Sequence, residues 1–118
     1  MSVDQPRVVD FCGISKADGC CVLTISDHRE WNDWEHLLAL QEKLNNYLAF
    51  IESGEIYEAR PEARELAIEI SLRCRFAPEG EDDFSFLRLA RDAIRRAGFR
   101  FSVILDTGEF EIPDIQPS

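Results

Sequence analysis

The chain has 118 residues with a net charge of −10, and 45% of them are hydrophobic. Residues 1–118 are expected to form a single domain that buries roughly two-thirds of its unfolded surface, with residues 1–6 and 113–118 as loosely ordered tails. A balance this acidic argues against nucleic acid or an anionic membrane as partner. No apolar run is long enough to span a bilayer and no signal-peptide apolar region follows the N-terminus, which together give a cytoplasmic expectation.

The charge is unevenly spread. Residues 1–59 hold eleven acids and four bases, a net of −7, whereas residues 60–118 hold twelve and nine, a net of −3. All nine bases of the second half are arginine.

Val8 to Ile14 reads as a first strand, Lys16–Gly19 as a turn and Cys20 to Ser26 as a second strand, paired with the first as an antiparallel hairpin. The cysteines at 12, 20, 21 and 74 have no C-x-x-C or other metal-knuckle spacing, so they are expected to be reduced, mostly buried thiols. Asp27 to Asp33 is a polar approach to the longest helical pattern in the chain. In that helix Leu37, Leu40, Leu44, Tyr47, Leu48 and Ile51 share about a third of the circumference. Asn32 or Asp33 can cap its start, and Gly54 can end it in the left-handed conformation. Trp34, Leu38 and Phe50 miss the apolar stripe. Large apolar groups off the core face mark interfaces, so Leu38, Phe50, Trp31 and Trp34 are candidate partner contacts.

The stretch Glu55 to Arg64, with Pro61 inside it, reads as an irregular return. Leu66 to Phe76 alternates apolar and polar residues without a break, which places one strand face on a core and the other in water. Asp82 or Asp83 should cap a second helix that ends near Ala97, with Gly98 beyond it. Phe86, Leu87, Ala90, Ala93, Ile94 and Ala97 form its buried stripe, while Arg88, Arg91, Asp92 and Arg95 face solvent. Phe99 to Leu105 is a fourth alternating strand, Asp106–Glu109 a turn, and Phe110 to Ile112 a short edge strand. The order β-β-α-β-α-β with one-sided strands implies an α+β fold, a two-layer α/β sandwich. Its four- to five-stranded sheet should be mainly antiparallel and carry two helices on one face. The strands on either side of the second helix could be parallel neighbours through a right-handed crossover.

The residues Val22-Leu-Thr-Ile-Ser-Asp-His, Trp34-Glu-His-Leu-Leu and Gln41 through Tyr57, above all Phe50-Ile-Glu-Ser-Gly-Glu-Ile-Tyr57, resemble a bacterial family. It comprises small single-domain proteins classed as a domain of unknown function, and the resemblance covers nearly the whole chain. It implies no reaction, ligand or catalytic residue. The arginine-rich second helix departs from the Lys/Glu-rich version of that family.

Asp27, His28, Glu30, Asp33, Glu35 and His36 form the one dense cluster of metal-ligand or acid–base types. Histidines with carboxylates can bind a divalent metal, but the segment lacks the i, i+4 histidine pair of H-E-x-x-H. A capped, hydrogen-bonded strand-to-helix junction explains the same residues. Glu52, Glu55, Tyr57 and Glu58 form a second acidic group that a solvated helix end accounts for. Asp106-Thr-Gly108 is expected to be a turn. No nucleophile elbow, phosphate-binding loop or dinucleotide fingerprint occurs, and no cofactor or metal is expected.

The expected function is therefore a non-enzymatic protein-interaction module whose partner is a protein, including a second copy in a homodimer. The alternative is a small metal-dependent or carboxylate-based enzyme using the Asp27–His36 loop. A weaker third reading has Arg88, Arg91, Arg95 and Arg96 receiving an anionic partner.

Overall fold

Five strands and three helices follow in the order β1 (Cys12–Ser15), β2 (Cys20–Asp27), α1 (Trp34–Glu52), α2 (Glu55–Ala59), β3 (Ala67–Cys74), α3 (Glu81–Arg96), β4 (Arg100–Leu105) and β5 (Gly108–Phe110). A 3-10 turn, Pro61–Glu65, lies between α2 and β3. The structure, a computed structural model, describes residues 12–15, 19–31 and 34–113. The expected strand residues Val8 to Phe11, most of the first turn, the Asn32/Asp33 cap and the end of the C-terminal tail lie outside the described residues.

The strands lie side by side in sequence order. β1 and β5 are antiparallel to their neighbours, but β2, β3 and β4 run parallel. The α+β expectation holds and the mainly antiparallel sheet does not: this sheet is mixed. The cause is the connections. A strand that returns beside its predecessor after a helical crossover must run parallel to it, and this chain does so twice in succession. The element order and helix count also differ from expectation, because the return after Gly54 is helical. Pro61 does not interrupt that segment but opens the 3-10 turn, where its fixed φ and missing N–H cost nothing.

The core face of β3 alternates as expected, but the other face is not simply wet, since Ser71 is 5% exposed. Ile68, Ile70, Leu72 and Cys74 are each at most 4% exposed, and they join Cys21, Leu23 and Ile25 of β2 and Val103 of β4 in one core. Onto this face pack Leu37, Leu40, Leu44, Tyr47 and Ile51 of α1 and Leu87 and Ile94 of α3, and the two helices touch each other. The Tyr47 hydroxyl reaches through this layer to donate to the Thr24 carbonyl at 2.9 Å, tying mid-α1 to β2. On the opposite sheet face Thr24, Ser71 and Ser102 form one cross-strand row. There the Ser102 hydroxyl donates to Glu69 at 3.2 Å and Arg100 to the Cys20 sulfur at 2.9 Å.

Gly54 follows α1 with φ 86°, the left-handed geometry expected of it. The second long helix starts differently from expectation. Its N-cap is Gly80, with no side-chain cap bond, so neither Asp82 nor Asp83 caps it. Asp83 instead turns back and accepts the Glu79 amide at 3.1 Å. The buried stripe also needs correcting: Ala93 and Ala97 are exposed, whereas Asp83 and Arg88 are buried.

Candidate functional site

Parallel strands send their carboxyl ends to one edge, where open α/β sheets usually place ligands. Here that edge collects Asp27 from β2 and Cys74 from β3, which are direct register partners. α1 and α3 both start from the loops that leave it. Along β2, Cys21, Leu23 and Ile25 alternate onto the core face, and the same alternation carries Asp27 inward as the strand ends.

Asp27 is 2% exposed and His36, in the first turn of α1, is 0% exposed. His36 Nε2–H donates to Asp27 Oδ2 at 2.5 Å, and the Arg29 amide donates to Asp27 Oδ1 at 3.1 Å. The imidazole meets Trp31 edge to face with 4.6 Å between ring centroids. Trp31 is fixed in turn by its indole N–H, which donates to the Phe76 carbonyl at 2.9 Å. His36 Nδ1 is buried and has no hydrogen-bond partner among the described residues. A carboxylate–imidazole bond of this length is charge-assisted, and it locks the end of β2 to the first turn of α1.

Cys74 completes the buried group. Burial pushes its thiol up from 9.0 to about 12, and the neighbouring Asp27 carboxylate adds to the rise. A thiol held neutral at physiological pH is a poor nucleophile. Across the junction, burial raises the Asp83 carboxyl above 3.8, while the Glu79 amide and His36 pull it back.

The sequence cluster is therefore only partly assembled. Asp27 and His36 come together. His28 is exposed and shares with Asp27, Arg73, Arg75 and Asp106 a shallow cavity of about 230 Å³. Glu30 and Glu35 are exposed, and Asp33 lies outside the described residues. Among the described residues no three His, Cys, Asp or Glu side chains converge to hold a metal ion.

The partner-contact candidates divide as well. Trp34 is 70% and Leu38 47% exposed. Trp31 is only 5% exposed and Phe50 packs half-buried against the core, so neither is presented outward. The two tryptophans form no common ridge, since Trp31 lies ahead of the helix and points into the junction. The arginine cluster also dissolves. Arg88 is buried, donating to the Pro113 carbonyl at 2.7 Å and to Glu81, and Arg91 donates to Asp92 at 3.3 Å. Arg95 and Arg96 are exposed. In the second acidic group Glu52, Glu55 and Glu58 are exposed, and Tyr57 packs its ring 4.8 Å from the Arg64 guanidinium. The turn is confined to Asp106 and Thr107, shorter than expected, and the edge strand after it is Gly108–Phe110, not Phe110 to Ile112.

Three features escaped the sequence reading. Lys43 is 0% exposed, with its ammonium 5.3 Å from the Tyr47 ring centroid. Its signal was a place two turns after His36 on the same helix face. Leu89 is 67% exposed at the middle of α3. It lines a groove of about 350 Å³ between α1 and α3, together with Leu44, Leu48, Phe86 and Ile94. The pairing of Cys74 with Asp27 required the parallel register.

No helix among the described residues is long and apolar enough to cross a membrane. Searches of curated proteins and of solved structures find no match. A family model does match, over residues 1–107, in agreement with the resemblance carried by the first helix and the segment after it. The chain belongs to DUF6572, a family of unknown function.

Proposed function

We propose that this chain is a non-enzymatic protein-interaction module that self-associates through the outer side of its two-helix layer. The observation that carries this reading is the exposure of Trp34, Leu38 and Leu89, at 70%, 47% and 67%, beside the apolar groove between α1 and α3. Trp34, Leu38, Gln41 and Asn45 recur at helical spacing along one meridian of α1. Gln41 and Asn45 line the groove with Leu89, so these three exposed apolar side chains share one side of the layer, whereas the less exposed Phe76 stands apart just past β3. Apolar groups gathered in this way, rather than scattered, are characteristic of association surfaces.

The other borders of the fold suit association less well. The edge strand β5 is three residues long, too short to template strand addition efficiently. Sedimentation equilibrium at micromolar concentration tests the reading. A reversible monomer–dimer equilibrium supports it, and a strict monomer refutes it.

One observation favours the alternative of a small metal-dependent or carboxylate-based enzyme: His36 Nδ1 has no hydrogen-bond partner among the described residues. Against it, both side chains of the Asp27–His36 pair are fully shielded from solvent, whereas a general base must reach its substrate. Calorimetric zinc titration of chelator-treated protein tests this reading. Heat that His36→Ala abolishes would support it, and no heat would end it.

A further inference from the structure

The charge pattern of α3 identifies how a second copy would dock, and we propose that two chains pair through α3 running antiparallel, with a twofold axis passing at Leu89. This pairing rests on the self-association reading above. Asp82, Leu89 and Arg96 are spaced by seven residues, about two helical turns, so they stand in one row on the surface of α3. All three are exposed. A twofold axis at Leu89 brings each residue level with the one equally far on its other side. Asp82 then faces Arg96 of the second copy and Arg96 faces its Asp82, so one contact is made twice, as a symmetric homodimer requires.

Size complementarity follows the same arithmetic. Ser85 becomes level with Ala93 of the second copy, and two small residues there allow the helices to approach closely around Leu89. The groove beside Leu89 is lined by Phe86 and Ala93 and can receive the opposing leucine, as a knob enters a hole in antiparallel helix pairs.

Electrostatics selects α3 over the rest of the surface. The chain carries −10, so two copies repel at long range. Glu81, Asp82, Asp83 and Asp92 are matched by Arg88, Arg91, Arg95 and Arg96, which makes α3 itself neutral. Three of its four acids stand in the first turn and Arg95 and Arg96 in the last, so antiparallel apposition is attractive at both ends whereas parallel apposition sets like charges together there. Neither Asp82 nor Arg96 is engaged in an ion pair among the described residues.

The test is sedimentation equilibrium on the full chain as wild type, Asp82→Arg, Arg96→Asp, the double variant, and an equimolar mixture of the two single variants. Each single reversal sets like charges opposite each other at both contacts and should weaken dimerisation about tenfold or more. The double variant and the mixture both restore opposite charges and should recover most of that loss. Circular dichroism of each variant controls for folding. Under mild oxidant, Leu89→Cys should also give a disulfide-linked dimer that the wild type does not, because only a residue on the axis meets its own copy. If the wild type dimerises but ignores both reversals, the α3 pairing is wrong while self-association stands. If the wild type is a strict monomer, both fall.

Discussion

The buried Asp27–His36 bond should be the most costly polar contact in the fold to break. His36→Ala removes the only described side chain bonded to Asp27 Oδ2 and leaves a carboxylate that is 2% exposed. Breaking one side of a buried pair costs about 3–5 kcal/mol. Asp27 keeps the Arg29 amide on Oδ1, which places the expected loss near the lower end, about 3 kcal/mol. At about 2.1 cal/mol/K of unfolding entropy per residue over this chain, that loss lowers Tm by about 12 °C. It is also a large share of the 5–15 kcal/mol that typically holds a domain together. Thermal and urea unfolding followed by circular dichroism measure it directly. The double variant Asp27→Ala/His36→Ala removes both polar partners and should cost less than the sum of the single changes, with a coupling of about 2 kcal/mol. A His36→Ala cost below about 1 kcal/mol, or additive single changes, would refute the claim that this pair clamps β2 to α1.

Three further outcomes follow from the core and its edges. Cys74 has its folded pKa raised from 9.0 to about 12, so its stabilising contribution is complete below pH 9. That contribution declines toward pH 12, where only the unfolded thiol has ionised; urea midpoints of wild type should therefore fall more steeply over that window than those of Cys74→Ala, and parallel slopes would contradict the assignment. Tyr47→Phe deletes the hydroxyl that reaches Thr24 and should cost about 1 kcal/mol in urea unfolding, with no loss meaning that the bond adds nothing net. Arg88→Met removes the tie between α3 and the Pro113 carbonyl. Amides of residues 108–112 should then exchange with deuterium at least several times faster than in wild type, and unchanged protection there would show that the tie does not hold β5.

Much of this architecture could be read from residue spacing alone. The stripe of α1, the unbroken alternation of β3, the first hairpin and the helix-ending glycines at 54 and 98 are local patterns, and each appears where its spacing puts it. Strand direction was legible only where a helical crossover suggested it, between β3 and β4, which do run parallel; for the rest it was hidden for a physical reason. Alternation reports which face is covered, and a parallel sheet covered on one side alternates as an antiparallel one does. Parallel sheets are usually covered on both sides, and on the far face of this one Ser71 and Cys20 are buried as well, at 5% and 1% exposed. The helical character of residues 55–65 was hidden because Pro61 opens a turn as readily as it breaks a helix.

The candidate site was half legible. Asp27 and His36 stood out as the right residue types, but only the folded junction shows them sealed against each other beneath Trp31. Arg88 looked like a solvent-facing base because its anchor, the Pro113 carbonyl, lies 25 residues away in sequence. Phe50 looked unpartnered on a helical wheel because the wheel omits the segments that pack around α1. Leu89 is inconspicuous in the sequence between Arg88 and Arg91, although its exposure sets the proposed contact.

The central claim is that the outer side of the helix layer, and not the hydroxyl-bearing side of the sheet, is where this protein meets a partner of its own kind. A dilution series from millimolar to micromolar concentration, followed by amide and methyl NMR shifts, tests it most directly. Concentration-dependent shifts concentrated at Trp34, Leu38, Asp82, Leu89 and Arg96 are predicted. Shifts centred on Thr24, Ser71 and Ser102, or a spectrum indifferent to concentration, would contradict it.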